Sequence, residues 1–238
     1  GAPLNSLTTP ALLLDPKRMR RNIAAMHART LQHNVALRPH IKTAKCVPIA
    51  REMIAGQAGG VTVSTVAEAR AMVDAGITDI TYAVGISANK LAAIGALQGR
   101  GAHVQLLCDD PGTAAMLGEQ GAAMGQLFEV LVEIDCGYGR SGVLADSAAL
   151  VDIAQRLNKH KATRFGGVLT HAGHSYSCRS IAEIEVVAAQ ERDVVTAAAA
   201  HLRLAGVACP TVSAGSTPTA VAGKDWTGVD ELRPGNFV

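Results

Sequence analysis

Val104-Gln-Leu-Leu-Cys108, Asp109-Asp110-Pro111-Gly-Thr-Ala-Ala-Met-Leu-Gly-Glu-Gln-Gly-Ala-Ala123 and Val130-Leu-Val-Glu-Ile-Asp135 read in succession as strand, helix and strand. The two outer runs are short and almost continuously apolar, as strands buried on both faces are. Between them, Pro111 after Asp109-Asp110 suits a first helical turn because it lacks the N–H that such a turn leaves unbonded. Two strands joined through a helix become parallel neighbours in one sheet.

The alternation continues in both directions. Strands are predicted at Val35–His40, Gly60–Ser64, Ile80–Val84, Gly166–Thr170, Thr211–Ala214 and Glu231–Pro234, making eight with the two above. Helices are predicted from Lys17 to about Leu31 and at Val47–Ile54, Val66–Asp74, Ser147–Leu157 and Ile181–Leu204. Thr65-Val-Ala-Glu68 has the capping-box pattern at one of these starts. Eight strands with intervening helices predict an α/β fold, a (β/α)8 TIM barrel; an open doubly wound sheet shares the alternation, and periodicity alone does not separate the two.

The barrel is assigned to residues 16–238. Residues 1–15 are set apart, because Thr9-Pro-Ala-Leu-Leu-Leu-Asp15 reads as an extra strand before the first helix. Arg233-Pro-Gly-Asn-Phe-Val238 stops on apolar residues with no closing helix, which reads as a chain cut short.

Aromatic residues make up only 3%, so Ala, Val, Leu and Ile must fill the core. A net charge of +2 with scattered basic residues gives no footprint for nucleic acid or a membrane surface. Lys17, Arg18, Arg20 and Arg21 read as a solvated helix face. No apolar run approaches the ~18 residues that span a bilayer. Five cysteines at 46, 108, 136, 178 and 209, without a C-x-x-C pair, point to reduced thiols and a cytoplasmic setting.

In a parallel barrel, chemistry gathers at the C-terminal strand ends. The first strand puts Arg38, His40 and Lys42 on one face. The fifth puts Glu133 and Asp135 on one face, before Cys136-Gly-Tyr-Gly-Arg140-Ser-Gly142, a loop whose glycines let Arg140 fold over the mouth. Acidic groups inside a barrel call for cations, so Arg38 and His40 are read as their partners. The sixth strand ends in Thr170-His171-Ala-Gly-His174-Ser-Tyr176, and the seventh in Ser213-Ala-Gly-Ser-Thr-Pro-Thr219. That last segment can offer N–H groups and the Ser216 and Thr217 hydroxyls to a phosphate, or simply cap a helix. His171, His174 and Cys178 read as capping or cofactor-contact residues rather than metal ligands, because His171 ends a strand. Cys136 has no activating base nearby in sequence.

These segments resemble the fold-type III pyridoxal-phosphate enzymes, which carry an alanine racemase N-terminal-like barrel. The similarity is greatest to the group of D-serine dehydratase, D-threo-3-hydroxyaspartate dehydratase and D-threonine aldolase. It rests on Thr9-Pro10 with Leu14-Asp15, Leu37-Arg-Pro-His-Ile-Lys-Thr-Ala-Lys45, Glu133-Ile-Asp135 with Gly139-Arg-Ser-Gly142, Thr170 to Tyr176, Gly215-Ser-Thr-Pro-Thr219 and Glu231-Leu-Arg-Pro-Gly235. The resemblance implies pyridoxal 5′-phosphate on Lys42 as the Schiff-base lysine, with Lys45 as the outer lysine of the motif. It implies Arg140 at the cofactor's phenolic oxygen, Tyr176 at the pyridine nitrogen and His171 against the ring. Gly215, Ser216, Thr217, Gly235 and Asn236 would hold the phosphate.

The activity so implied is that of a lyase on a small D-3-hydroxy amino acid. A dehydratase would give an oxo acid and ammonia; the aldolase alternative would give glycine and an aldehyde. The resemblance further implies a homodimer and a divalent metal, zinc or manganese, held by a His-x-Cys pair in a C-terminal β-domain that these residues do not contain. The Thr9–Asp15 strand would join that β-domain. Two other readings stand beside these: a non-enzymatic pyridoxal-phosphate carrier, and a cofactor-free aldolase using Lys42.

Overall fold

The computed structural model describes residues 3–238. All eight expected strands form: β1 (Ala36–Leu37), β2 (Val61–Val63), β3 (Asp79–Gly85), β4 (His103–Cys108), β5 (Phe128–Ile134), β6 (Thr163–Thr170), β7 (Thr211–Ala214) and β8 (Glu231–Leu232). They pair in parallel in the order β1-β8-β7-β6-β5-β4-β3-β2. A parallel bridge between His40 and Thr62 closes the circle. There the Ile41 N–H donates to the Thr62 carbonyl at 3.0 Å, and the Thr62 N–H to the Pro39 carbonyl at 2.9 Å. The barrel, rather than the open sheet, is therefore the architecture.

Among the described residues eight α-helices surround it: α1 (Pro16–Gln32), α2 (Val47–Ile54), α3 (Val66–Asp74), α4 (Ala88–Gln98), α5 (Pro111–Met124), α6 (Ala148–Lys159), α7 (Ile181–Leu204) and α8 (Thr217–Ala222). Local chemistry sets several starts. The Asp110 carboxylate accepts the Thr113 N–H at 2.8 Å, which makes Pro111 the first helical residue of α5. Thr65 Oγ1 accepts the Glu68 N–H at 3.1 Å, while the Glu68 carboxylate accepts the N–H of Ser64, one residue before the strict capping-box position. The α4 start lacks such a signal, since no side chain caps it.

The strand expected at Thr9–Asp15 does not form. Among the described residues that segment pairs with no strand, and without a neighbour its N–H and C=O groups have no ladder to join. Leu12, Leu13 and Leu14 are exposed, and the Asp15 carboxylate caps α1 by accepting the Lys17 and Arg18 N–H groups at 3.0 and 3.1 Å. No described helix is long and apolar enough to cross a membrane.

Aliphatic side chains fill the layer between helices and sheet, joined by the fully buried Trp226, Tyr82 and Phe128. Inside the barrel, Leu107, Leu131 and Leu169 pack with Ala83 in a separate apolar layer. At the N-terminal side of that layer the interior is polar. The Gln105 amide donates to Glu129 at 2.8 Å and accepts from Thr81 Oγ1 at 2.8 Å, and the His103 ring bridges Asp79 and Glu129 at 3.3 Å each. Arg38 belongs here too, with Nε donating to Glu231 at 2.6 Å and two further N–H groups donating to Asp79 at 3.0 Å. Its acidic partners are thus Glu231 and Asp79, not Glu133 and Asp135, because the barrel brings β8 and β3 to the base of β1.

Candidate active site

At the opposite, C-terminal end of the strands lies a cavity of about 310 Å3 with Ala83 and Leu169 among its lining residues. His40, Lys42, Ser64, Asp109, Glu133, Arg140, Ser141, His171, Gly215 and Arg233 supply its polar rim. The turn after β1 presents Lys42, and His40 is fixed behind it: the ring's Nδ1 accepts the Lys42 N–H at 3.4 Å, and its Nε2 meets Ser64 Oγ at 3.2 Å. Glu133, buried on β5, accepts the Ser141 hydroxyl at 2.8 Å and lies 3.5 Å from Arg140. Asp135 does not face the interior with it. Its carboxylate turns back to accept the N–H groups of Gly137, Tyr138 and Gly139 at 2.9, 2.9 and 3.0 Å, which folds the glycine-rich loop around it.

The rim is rich in positive charge. Burial, followed by the charges of Lys42 and Arg233, pushes His40 down to about 3. Burial, then Arg233, Lys42 and Arg140, brings His171 down to about 3 as well. Both imidazoles are neutral at physiological pH. Lys42 is also lowered from its ordinary value, first by desolvation and then by Arg140 and Arg233. A depressed lysine is a better nucleophile at neutral pH, because more of it carries a free lone pair. Lys45, by contrast, pairs with Glu68 at 3.7 Å.

Of the nine residues singled out in the sequence, Lys42, Arg140, His171 and Gly215 come together on the rim. Thr217 and Asn236 line a separate cavity between α1 and α8. There Thr217 Oγ1 accepts the N–H groups of Gly235 and Asn236 at 3.0 and 2.8 Å. The Ser216 hydroxyl is buried against Ser175 Oγ at 2.7 Å and Thr219 Oγ1 at 3.0 Å, so it closes the loop rather than facing the cavity. Tyr176 is half-exposed on a 3-10 turn, Gly173–Ser177, with its hydroxyl 3.4 Å from the Thr217 N–H. It borders a third, apolar cavity beside α8.

His174 packs on Tyr138, with ring centroids 5.6 Å apart. Among the described residues no group of three metal-ligating side chains forms. Burial pushes the Cys136 thiol up to about 11.

The sequence reading passed over Arg233 and Glu191. Arg233 stands two residues beyond Glu231 on the same inward face, so strand alternation could have found it. It donates to Ser213 Oγ and to the Thr170 carbonyl, tying β8 to the ends of β6 and β7. Glu191 lies within the long helix α7 and carries no local signal.

A closed parallel barrel with a cation-rich, lysine-bearing mouth defines a small-molecule site at the face where barrel enzymes work. The chain belongs to the family of the alanine racemase N-terminal domain, which matches residues 14–238. It is 43% identical over 235 residues to the D-threo-3-hydroxyaspartate dehydratase of Delftia sp. (strain HT23), covering 99% of this chain and 62% of that protein. Against the D-threonine aldolase of Arthrobacter sp. it is 34% identical, covering 92% of this chain and 58% of that protein. The solved structure of the Delftia sp. HT23 dehydratase superposes with a TM-score of 0.94 over 98% of this chain and 61% of its own. That of D-threonine aldolase from Filomicrobium marinum, 34% identical, does so with 0.89 over 98% of this chain and 63% of its own. The chain thus spans about three-fifths of the relatives it matches.

The family implies pyridoxal phosphate, and the residues present fit it. An amine of depressed basicity suits an aldehyde, surplus cations suit an anion, and neutral imidazoles suit the face or edge of a heteroaromatic ring. Backbone approach is close at this point: a Cβ on Gly235 would lie 2.5 Å from the His40 carbonyl oxygen.

Proposed function

We propose that this chain is the cofactor-binding barrel of a pyridoxal-phosphate-dependent lyase that acts on a small D-3-hydroxy amino acid, by the dehydratase reaction. The observation that carries the reading is the Lys42 amine, lowered in basicity on a rim shared with Arg140, Arg233 and two neutral histidines. The 43% identity to a D-threo-3-hydroxyaspartate dehydratase over 99% of the chain supports the substrate class.

When bound, pyridoxal phosphate supplies an electron sink for charge developing at Cα of an amino acid. Lys42 would hold its aldehyde end, and its amine, of lowered basicity, would stand as the base for the Cα proton of a substrate. Arg140, braced by Glu133, orients the phenolic-oxygen edge. His171 supports the ring without adding charge. Thr217, Gly235 and Asn236 receive the phosphate, and Gly215 with Ser216 gives that loop its shape. Tyr176 joins the set from the Thr217 side, where its hydroxyl stands in this structure. A role for Tyr176 at the pyridine nitrogen would require its ring to turn toward the mouth.

Within this reading residues 16–238 are the pyridoxal-phosphate-binding barrel, and residues 1–15 would join a β-domain of the kind the family carries. That domain supplies zinc or manganese. One solved D-threo-3-hydroxyaspartate dehydratase mutant is in a metal-free form, which supports a metal site in that relative. Five free cysteines support a cytoplasmic setting, and the homodimer is carried by the family resemblance alone.

Borohydride reduction of the purified protein with pyridoxal phosphate, followed by peptide mapping, tests the cofactor assignment. A pyridoxyl group on Lys42 is the expected result, and a label on another lysine, or none, would overturn it. Full-length protein carrying this chain should release ammonia and an oxo acid from a D-3-hydroxy amino acid. Release of glycine and an aldehyde would place it with the aldolases.

A further inference from the structure

Glu191 is a fully buried carboxyl on α7, and nothing in the proposed chemistry yet uses it. One of its oxygens accepts the Ala172 N–H at 2.7 Å and the Gly215 N–H at 3.2 Å, so a single atom spans the ends of β6 and β7. The other accepts the Thr219 hydroxyl at 2.6 Å. Thr219 Oγ1 in turn accepts the Ser216 N–H at 2.9 Å. Ala172 follows His171 directly, and Gly215 and Ser216 precede Thr217, whose hydroxyl gathers the N–H groups of Gly235 and Asn236. One carboxylate therefore fixes the residue that supports the ring and the loop that receives the phosphate in a common frame. Taking a carboxyl fully out of water is costly unless its acceptor sites are filled, and here three donors fill them.

We infer that Glu191 is a positioning residue for the phosphate end of the cofactor, acting through Gly215, Thr219 and the Ser216 backbone on the loop that ends in Thr217. The inference rests on the cofactor reading given above. Neither Glu191 nor Thr219 is among the residues lining the central cavity, so both act at one remove.

The test compares pyridoxal phosphate with 5′-deoxypyridoxal, which keeps the aldehyde and ring but lacks the phosphate. Binding to the purified protein is followed by the visible absorbance gained when a lysine captures the aldehyde. Glu191→Gln keeps the shape of the side chain and turns one acceptor oxygen into an N–H donor; Thr219→Val keeps shape and loses the linking hydroxyl. Each should weaken pyridoxal phosphate about tenfold, roughly the worth of one buried hydrogen bond, and leave 5′-deoxypyridoxal within about twofold. Equal weakening of both ligands would reduce Glu191 to a packing role and overturn the inference, as would unchanged binding of both. If Glu191→Gln does not fold, Thr219→Val carries the same comparison alone. Wild-type protein that captures neither ligand would overturn the cofactor reading itself, a result distinct from any change confined to the variants.

Discussion

Arg38→Met is expected to be among the most damaging single substitutions in this barrel. Arg38 and its partner Glu231 have side-chain exposures of 9% and 7%, so no water replaces the lost guanidinium, and Glu231 is left as a buried carboxylate with only the Ser213 hydroxyl. Asp79, the other partner, is 41% exposed and keeps His103, so its share of the loss is small. Breaking a buried pair from one side costs about 3–5 kcal/mol, equivalent for a chain of this size to a fall in Tm of about 6–20 °C. Replacing both partners removes the stranded charge: Arg38→Met with Glu231→Gln should recover at least about 2 kcal/mol relative to the sum of the single losses. Urea unfolding followed by the fluorescence of Trp226, the one tryptophan and fully buried, measures all four proteins. Equal m-values would show that the same surface unfolds in each. Simple additivity, or a loss below about 1 kcal/mol for Arg38→Met, would refute the view that a desolvated pair fastens β1 to β8.

Acid should destabilise the fold in two stages. His40 and His171 are held near 3 in the fold against 6.5 when free, so the stability they contribute is complete above 6.5 and is lost as pH falls toward 3. Asp79 and Glu129, held near 2 despite burial by bonds from His103 and their other donors, add a second loss as pH falls through their ordinary values toward 2; urea midpoints against pH would show a monotonic fall below about 6.5. His103 has the opposite sign: raised to about 9 by Asp79 and Glu129, it contributes stability present below 6.5 and lost as pH climbs through 9, and His103→Gln should flatten that alkaline slope. Gly235→Ala should lower cofactor affinity at least tenfold in the same absorbance titration, because its Cβ would collide with the His40 carbonyl and force the Gly235–Asn236 N–H groups off Thr217; unchanged affinity would place the phosphate elsewhere.

The fold was readable because parallel strands buried on both faces leave short apolar runs, and because Asp110, Thr65 and Pro111 announce helix starts locally. What periodicity lacked was closure, which depends on a bridge between His40 and Thr62 that only three-dimensional proximity creates. Within the site, alternation along β1 and β5 correctly brought His40 and Glu133 to the mouth. It failed for Asp135, because three backbone N–H groups in the following glycine-rich loop outbid the barrel interior. Arg38 was likewise placed on the inward face, but its partners come from strands far away in sequence. Glu191 was invisible because its importance lies in two strand ends and a hydroxyl, each contributed by a different stretch of chain.

The layer of Leu107, Leu131, Leu169 and Ala83 makes the barrel a vessel with a sealed base. With that floor in place, cofactor and substrate alike are received from the mouth, and anything that roofs the rim governs entry and exit together.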